Sequence, residues 1–270
     1  MNDFYVIGNP VKQSKSPLLF NYIFKKLNIQ VIYGSHQLDD AKGVSDFIDK
    51  CIKNKVTGIN ITMPFKESAS IHATILDETA KITKAINCMH FINNQIIAYN
   101  NDYYGFLRLA EMNNISFNKS NNIVIGSGGS ARSIIWSLIK NKASTIHILA
   151  RNATSVYDLI KDMSLIQDNT KLKILSNKSD LTNCNLINCT PIGMLIKTNV
   201  DILKLIPMIR YNSIIDINYN IHHDYFNFKT LKKINGKSMF IFQALKTLDI
   251  WFDSNISDKL NYKELEKIIC

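Results

Sequence analysis

Residues 122–131 read Asn122-Ile123-Val124-Ile125-Gly126-Ser127-Gly128-Gly129-Ser130-Ala131, an apolar run closed by a glycine-rich turn, and the stretch from there to Lys140 is helix-forming. A hydrophobic strand, a tight turn and a helix in that order are what dinucleotide-binding α/β domains place under a pyrophosphate. Gly126 permits the turn, Gly128 lets backbone approach the phosphates, and Ala131 fills the third small position. The helix that follows offers first-turn N–H groups and the positive end of its dipole to an anion. An ordinary tight strand-to-helix turn is the competing reading.

Working outward, the next apolar run, Thr145 to Ala150, predicts a second strand, and the residue after it selects the dinucleotide. A carboxylate there accepts from a ribose 2′-hydroxyl, whereas an arginine pairs with a 2′-phosphate. The chain has Arg151, with Asn152 beside it as a further donor, so NADP is favoured over NAD. A solvated arginine at a strand end is the alternative. Strand patterns at 186–188 and 213–217 continue the rhythm, so residues from about 102 to 235 form one α/β unit.

The first hundred residues carry a second α/β alternation. Phe4 to Ile7, Val31 to His36 and Gly58 to Ile61 read as strands, and Pro17 to Leu27 (opened by Ser16) and Gly43 to Ile52 as helices. Short strands follow around 87–91 and 96–100, then a helix from about Asp102 to Met112. The last segment reads as two helices, Met239 to Phe252 and Asp258 to Ile269, expected to return to the first domain. The expected architecture is α/β in two domains: residues 1–101 with 239–270 form a mostly parallel substrate domain, and 102–238 a Rossmann-type NADP-binding domain.

Composition bounds the function. The chain has 270 residues, 46% hydrophobic and 20% charged, with 10 Gly and 5 Pro, which is the make-up of an ordered globular protein. No apolar run approaches the ~18 residues of a membrane span, and the N-terminus shows no signal-peptide pattern, so a cytoplasmic protein without membrane association is expected. The five cysteines (Cys51, Cys88, Cys184, Cys189, Cys270) show no zinc-type spacing and read as reduced thiols. His222 and His223 read as surface or packing residues, and no metal site is expected. The net charge of +10 favours an anionic partner, but the lysines are dispersed, so a small anionic molecule is expected and nucleic acid is not.

In the first domain, polar residues crowd the ends of apolar strands. Ser14 and Ser16 flank Lys15 after Gly8-Asn9-Pro10; Asn60, Thr62 and Lys66 follow another strand, and Asn87 a third. Singly, Ser16 reads as a helix cap, Thr62 as a turn residue and Lys66 as a surface charge. Together they make a hydroxyl, amide and ammonium set suited to a small polyhydroxylated acid. Ketone reduction also needs a proton delivered to the developing alkoxide, and no histidine is well placed for it. Lys66 with Asp102 can do this: the carboxylate orients the ammonium, which polarises the carbonyl and donates the proton. An N-cap role for Asp102 is compatible with that one.

These segments, taken together, resemble the shikimate dehydrogenase family. Val6 to Pro17 is similar to its opening motif, Asn60 to Lys66 to its lysine segment and Asn100-Asn101-Asp102 to its aspartate segment. Gly126 to Ala131, Asn188 to Met194, Asp216 to Tyr219 and Gln243-Ala244 follow in the family's order, so the resemblance covers essentially the whole chain. It implies reversible NADPH-dependent reduction of 3-dehydroshikimate to shikimate, with Lys66 and Asp102 as the catalytic pair. It further implies that Ser14, Ser16 and Tyr219 bind the substrate carboxylate, while Thr62, Lys66, Asn87, Asp102 and Gln243 surround the ring hydroxyls. Gly126, Ser127, Gly128, Gly129, Ser130, Ala131, Arg151, Asn152, Thr190, Ile217, Gly236 and Met239 would line the NADP site. Asn101, Ala150, Asn152, Ile221 and Ser238 depart from the family's usual Thr, Asn, Thr, Pro and Gly. A relative acting on quinate with NAD, and a dinucleotide-sensing module without catalysis, are the alternatives. Oligomeric state stays open, a homodimer included.

Overall fold

The computed structural model describes residues 3–165, 169–176, 181–194, 201–221 and 223–269, so His222 and Cys270 lie outside the described residues. Two compact units divide the chain, Met1–Gly105 with Ile241–Cys270, and Phe106–Phe240. No helix among the described residues is long and apolar enough to cross a membrane.

The first unit runs β1 (Phe4–Gly8), α1 (Ser16–Lys26), β2 (Tyr33–Gln37), α2 (Ala41–Lys53), β3 (Gly58–Ile61), β4 (Ile75–Leu76), α3 (Glu78–Thr83), β5 (Cys88–Ile92) and β6 (Gln95–Tyr99). Its sheet has the order β2-β1-β3-β5-β6-β4. β1 is parallel to β2 and β3, and β4 to β6, while β5 is antiparallel to both β3 and β6. The reversal at β5 is made by Asn93 and Asn94, both at positive φ, the backbone that a two-residue hairpin demands and asparagine tolerates.

One face of this sheet is closed by an aromatic cluster. Phe20 stacks on Tyr33 at 4.4 Å and Phe4 on Trp251 at 4.5 Å between ring centroids. Trp251, the last residue of α7 (Lys237–Trp251), donates its indole N–H to the Met89 carbonyl at 3.0 Å. Gly58 lies under this indole: a Cβ there would come within 2.2 Å of Trp251 Nε1.

Three of the boundaries that differ from the sequence reading have a local cause. α1 begins at Ser16, with Lys15 at the cap position and no side-chain capping bond, so Ser16 is not the cap. The second strand starts two residues late, at Tyr33, where its ring enters the cluster. The final helix is broken into a 3₁₀ turn, Ile256–Lys259, and α8 (Tyr262–Ile269). Asp249 binds the backbone N–H and hydroxyl of Ser257 at 2.9 and 2.7 Å, and Leu260 is extended, which interrupts the helical ladder.

α4 (Asp102–Met112) is followed in the second unit by β7 (Asn121–Ile125), α5 (Gly129–Lys140), β8 (Thr145–Leu149), α6 (Ala153–Ser164), β9 (Lys171–Ile174), β10 (Cys184–Asn188), β11 (Tyr211–Asp216) and β12 (Thr230–Ile234). The sheet is parallel throughout, with the order β12-β11-β10-β7-β8-β9. The order reverses at β7, and in open parallel sheets that switch point is where ligands bind, beyond the carboxyl ends of the strands. β7 and β10 are buried on both faces, and their asparagines are paired in register: Asn185 donates to Asn122 at 3.0 Å and accepts from Ser213 at 2.8 Å. α5 and α6 are joined by the nearly buried Arg132–Asp162 ion pair at 2.8 Å.

Candidate active site and nucleotide site

Backbone hydrogen bonds bring the loops of the first unit together. After β1, Asn9 N–H donates to the Met63 carbonyl, and Thr62 N–H donates back to Ile7, each at 2.9 Å. Gly8 makes that approach feasible, since a Cβ would lie 2.3 Å from Thr62 Cγ2. Ile86 N–H donates to the Lys66 carbonyl at 2.8 Å, which sets Asn87 beside the lysine loop. Ser14 and Ser16 present adjacent hydroxyls, 3.2 Å apart.

At the centre, Lys66 Nζ donates to Asp102 Oδ2 at 2.5 Å, and Asn87 Nδ2 donates to Asp102 Oδ1 at 2.8 Å. Side-chain exposure is 14% for Lys66 and 6% for Asp102. With a donor on each oxygen, the carboxylate in turn fixes the direction of the ammonium. Asp102 opens α4, but its side chain faces Lys66; its backbone N–H is met by Asn100 Oδ1 at 3.2 Å. Asn87 also donates to Gln243 Oε1 at 3.3 Å, and its own oxygen accepts from Asn101 N–H at 2.8 Å. Asn60 is occupied within the fold, accepting from Tyr33 Oη at 2.7 Å and donating to the Asn87 carbonyl at 3.0 Å.

In the second unit, Gly126 takes φ +117°, a conformation L side chains rarely adopt. Gly128 is the extended cap residue of α5, with no side chain over the helix end, so the first-turn amides point out of it. Arg151 is exposed where β8 ends. Asn152 caps α6, its Oδ1 accepting from Ser155 N–H at 3.3 Å, so the oxygen is committed and only its N–H₂ can donate. Ser127 of the glycine turn bonds the Ser155 hydroxyl at 2.6 Å. An open helix end, a glycine cradle and a basic side chain at the next strand end fit a 2′-phosphorylated dinucleotide.

Beyond β10 and β11 lies a buried polar cluster that the sequence reading quoted only within motifs. Asn188 Oδ1 accepts from the Thr190 backbone and hydroxyl at 3.0 and 2.7 Å, and its Nδ2 donates to Asp216 Oδ1 at 3.0 Å. Asn218 N–H donates to the same Asp216 oxygen at 3.0 Å, and Asn218 Nδ2 to the Thr190 carbonyl at 2.8 Å. Burial pushes the Asp216 carboxyl up to about 6, against the pull of these donors. Ile217 N–H joins the cluster by donating to the Asn188 carbonyl at 3.2 Å. Gly236 lies against Ile217: a Cβ there would sit 1.8 Å from the Ile217 carbonyl oxygen. Met239 is buried nearby in sequence, and Tyr219 lies in this unit too, its ring 4.3 Å from that of Phe240. The signal for the cluster was polar residues closing two apolar strands.

Fold and site together define an α/β oxidoreductase with a Rossmann-type nucleotide domain. The model of the shikimate dehydrogenase substrate binding domain matches residues 6–89. An NADP(+) shikimate dehydrogenase of Clostridium botulinum is 32% identical over 260 residues, 91% of this chain and 95% of that one. One from Clostridium beijerinckii is 29% identical over 269 residues, covering 96% and 95%. A solved shikimate dehydrogenase in complex with NADP+ superposes with a TM-score of 0.82 at 26% identity, covering 98% of this chain and 93% of that one. The chain belongs to the shikimate dehydrogenase family.

Proposed function

We propose that Lys66 and Asp102 are the acid/base pair of the family's reaction, the reversible NADPH-dependent reduction of 3-dehydroshikimate to shikimate. The observation that carries this reading is the 2.5 Å Lys66–Asp102 bond, made between a loop lysine and the first residue of α4 and nearly buried in the first unit. NADPH, when bound, supplies the hydride. Lys66 polarises the substrate carbonyl and delivers a proton to its oxygen as negative charge develops there; in the reverse direction the neutral amine takes that proton. Asp102 orients the ammonium throughout, and Asn87 holds the carboxylate on its other oxygen.

Ser14 and Ser16 bind the substrate carboxylate, and Thr62, Asn87 and Gln243 meet ring hydroxyls. The first unit is the substrate domain and the second the NADP domain, with Gly126 to Ala131 on the pyrophosphate. Arg151 and Asn152 serve the 2′-phosphate, and Thr190, Ile217, Gly236 and Met239 the nicotinamide end. The enzyme works in the cytoplasm. Initial rates with shikimate and quinate, each with NADP+ and NAD+, test the reading. Shikimate with NADP+ should be the best pair; no turnover with shikimate and NADP+ overturns it.

A further inference from the structure

Thr247 has no place in the expected site, yet it is completely buried and its hydroxyl is fully used. It donates to the Gln243 carbonyl at 2.9 Å, one turn back in α7, and accepts from Asn101 Nδ2 at 2.9 Å and Asn60 Nδ2 at 3.5 Å. One donor and two acceptor positions exhaust a hydroxyl. Asn101 in turn gives its backbone N–H to Asn87 Oδ1, and the Asn87 amide closes the circuit on Gln243 Oε1. Gln243, Thr247, Asn101 and Asn87 thus form a closed ring of hydrogen bonds drawn from α7, the turn before α4 and the residue before β5. Asn101 is also where this chain departs from the family's usual threonine. A threonine at that position would keep the backbone N–H but lacks the amide that spans to Thr247.

We propose that Thr247 and Asn101 are positioning residues that set the spacing between Asn87 and Gln243, and so the fit of the substrate ring hydroxyls. This rests on the assignment of Asn87 and Gln243 to those hydroxyls. Their side-chain bonds run to Asn60, to the Gln243 carbonyl and to each other rather than into the Lys66–Asp102 bond, so their loss misplaces substrate more than it impairs proton transfer. Replacing Thr247 by valine keeps the shape, removes the hydroxyl and strands the buried Asn101 amide.

The test is steady-state kinetics of the full chain with shikimate and NADP+, alongside thermal unfolding, for Thr247→Val, Thr247→Ser and Asn101→Thr. Thr247→Val and Asn101→Thr should each raise KM for shikimate about tenfold, the effect of about one displaced hydrogen bond. In both variants kcat should fall by a smaller factor and KM for NADP+ should stay unchanged. Thr247→Ser, which keeps the hydroxyl, should restore KM. Where Thr247→Val fails to fold, Asn101→Thr carries the same readout. A KM for shikimate unmoved in the folded variants, a serine variant no better than valine, or a KM for NADP+ that rises in step overturns the proposal. A wild-type protein inactive on shikimate refutes the activity and this inference together, whereas an active wild type with insensitive variants refutes the inference alone.

Discussion

Replacing Asp102 by asparagine removes one charge with almost no change of shape, and the geometry around it leaves the new amide no satisfactory orientation. Oδ2 receives the Lys66 ammonium at 2.5 Å and Oδ1 the Asn87 N–H₂ at 2.8 Å, so both neighbours are donors. An asparagine must turn its own N–H₂ toward one of them. Asn87 cannot rotate to relieve the clash, because its oxygen is held by Asn101 N–H at 2.8 Å. One nearly buried donor is therefore left unpaired, which costs about 1–3 kcal/mol of stability. The ammonium also loses its counter-ion and its aim. Loss of a positioned acid/base group lowers the rate by about 10²–10⁴-fold, equivalent to ~3–5 kcal/mol in the barrier at ~1.4 kcal/mol per tenfold. Initial rates read from NADPH absorbance, with urea unfolding of the same preparations, measure both effects. Asp102→Asn turning over within tenfold of wild type, at unchanged stability, would refute the reasoning.

Three further outcomes are expected. Arg151→Ala should weaken NADPH binding by about 1.5–3 kcal/mol, the value of a charge-assisted hydrogen bond, and leave NADH nearly unaffected; fluorescence titration with both nucleotides decides it. Because the Asp216 carboxyl is raised from 3.8 to about 6 in the fold, it contributes stability that is complete below pH ~4 and lost as pH rises through ~6. That loss amounts to roughly 3 kcal/mol at ~1.4 kcal/mol per pH unit, and Asp216→Asn should escape it, so its urea midpoint relative to wild type should climb between about pH 4 and 6 and level off above; a constant offset would contradict this. Gly58→Ala places a methyl 2.2 Å from Trp251 Nε1, so the indole must leave the Met89 carbonyl, and calorimetry should show destabilisation of about 1–3 kcal/mol or more.

Much of the architecture was legible because its signals are local. The run ending at Ile125, the glycines behind it and Arg151 at the next strand end are each a pattern within a few residues, and the structure has the strand, turn and helix there. Elements with weaker patterns went unread. β9 (Lys171–Ile174) and β12 (Thr230–Ile234) are largely exposed edge strands whose lysines mask any alternation, and α3 has only six residues. Asn152 caps α6, so the asparagine at the strand end is also the start of a helix. In the first unit, Asn60 stands among the polar residues at a strand end, but its amide serves Tyr33 and the Asn87 backbone.

Sequence alone determined the two α/β alternations, the basic side chain at the second strand end and the residue types available for acid/base work, since these depend on periodicity and on chemistry carried by single side chains. Tertiary structure alone decided which of those side chains share hydrogen bonds. Asn87 with Gln243, Asn101 with Thr247 and Asn188 with Asp216 are joined by how strands and α7 pack, and a side-chain amide or hydroxyl can satisfy itself with many partners until packing leaves it one.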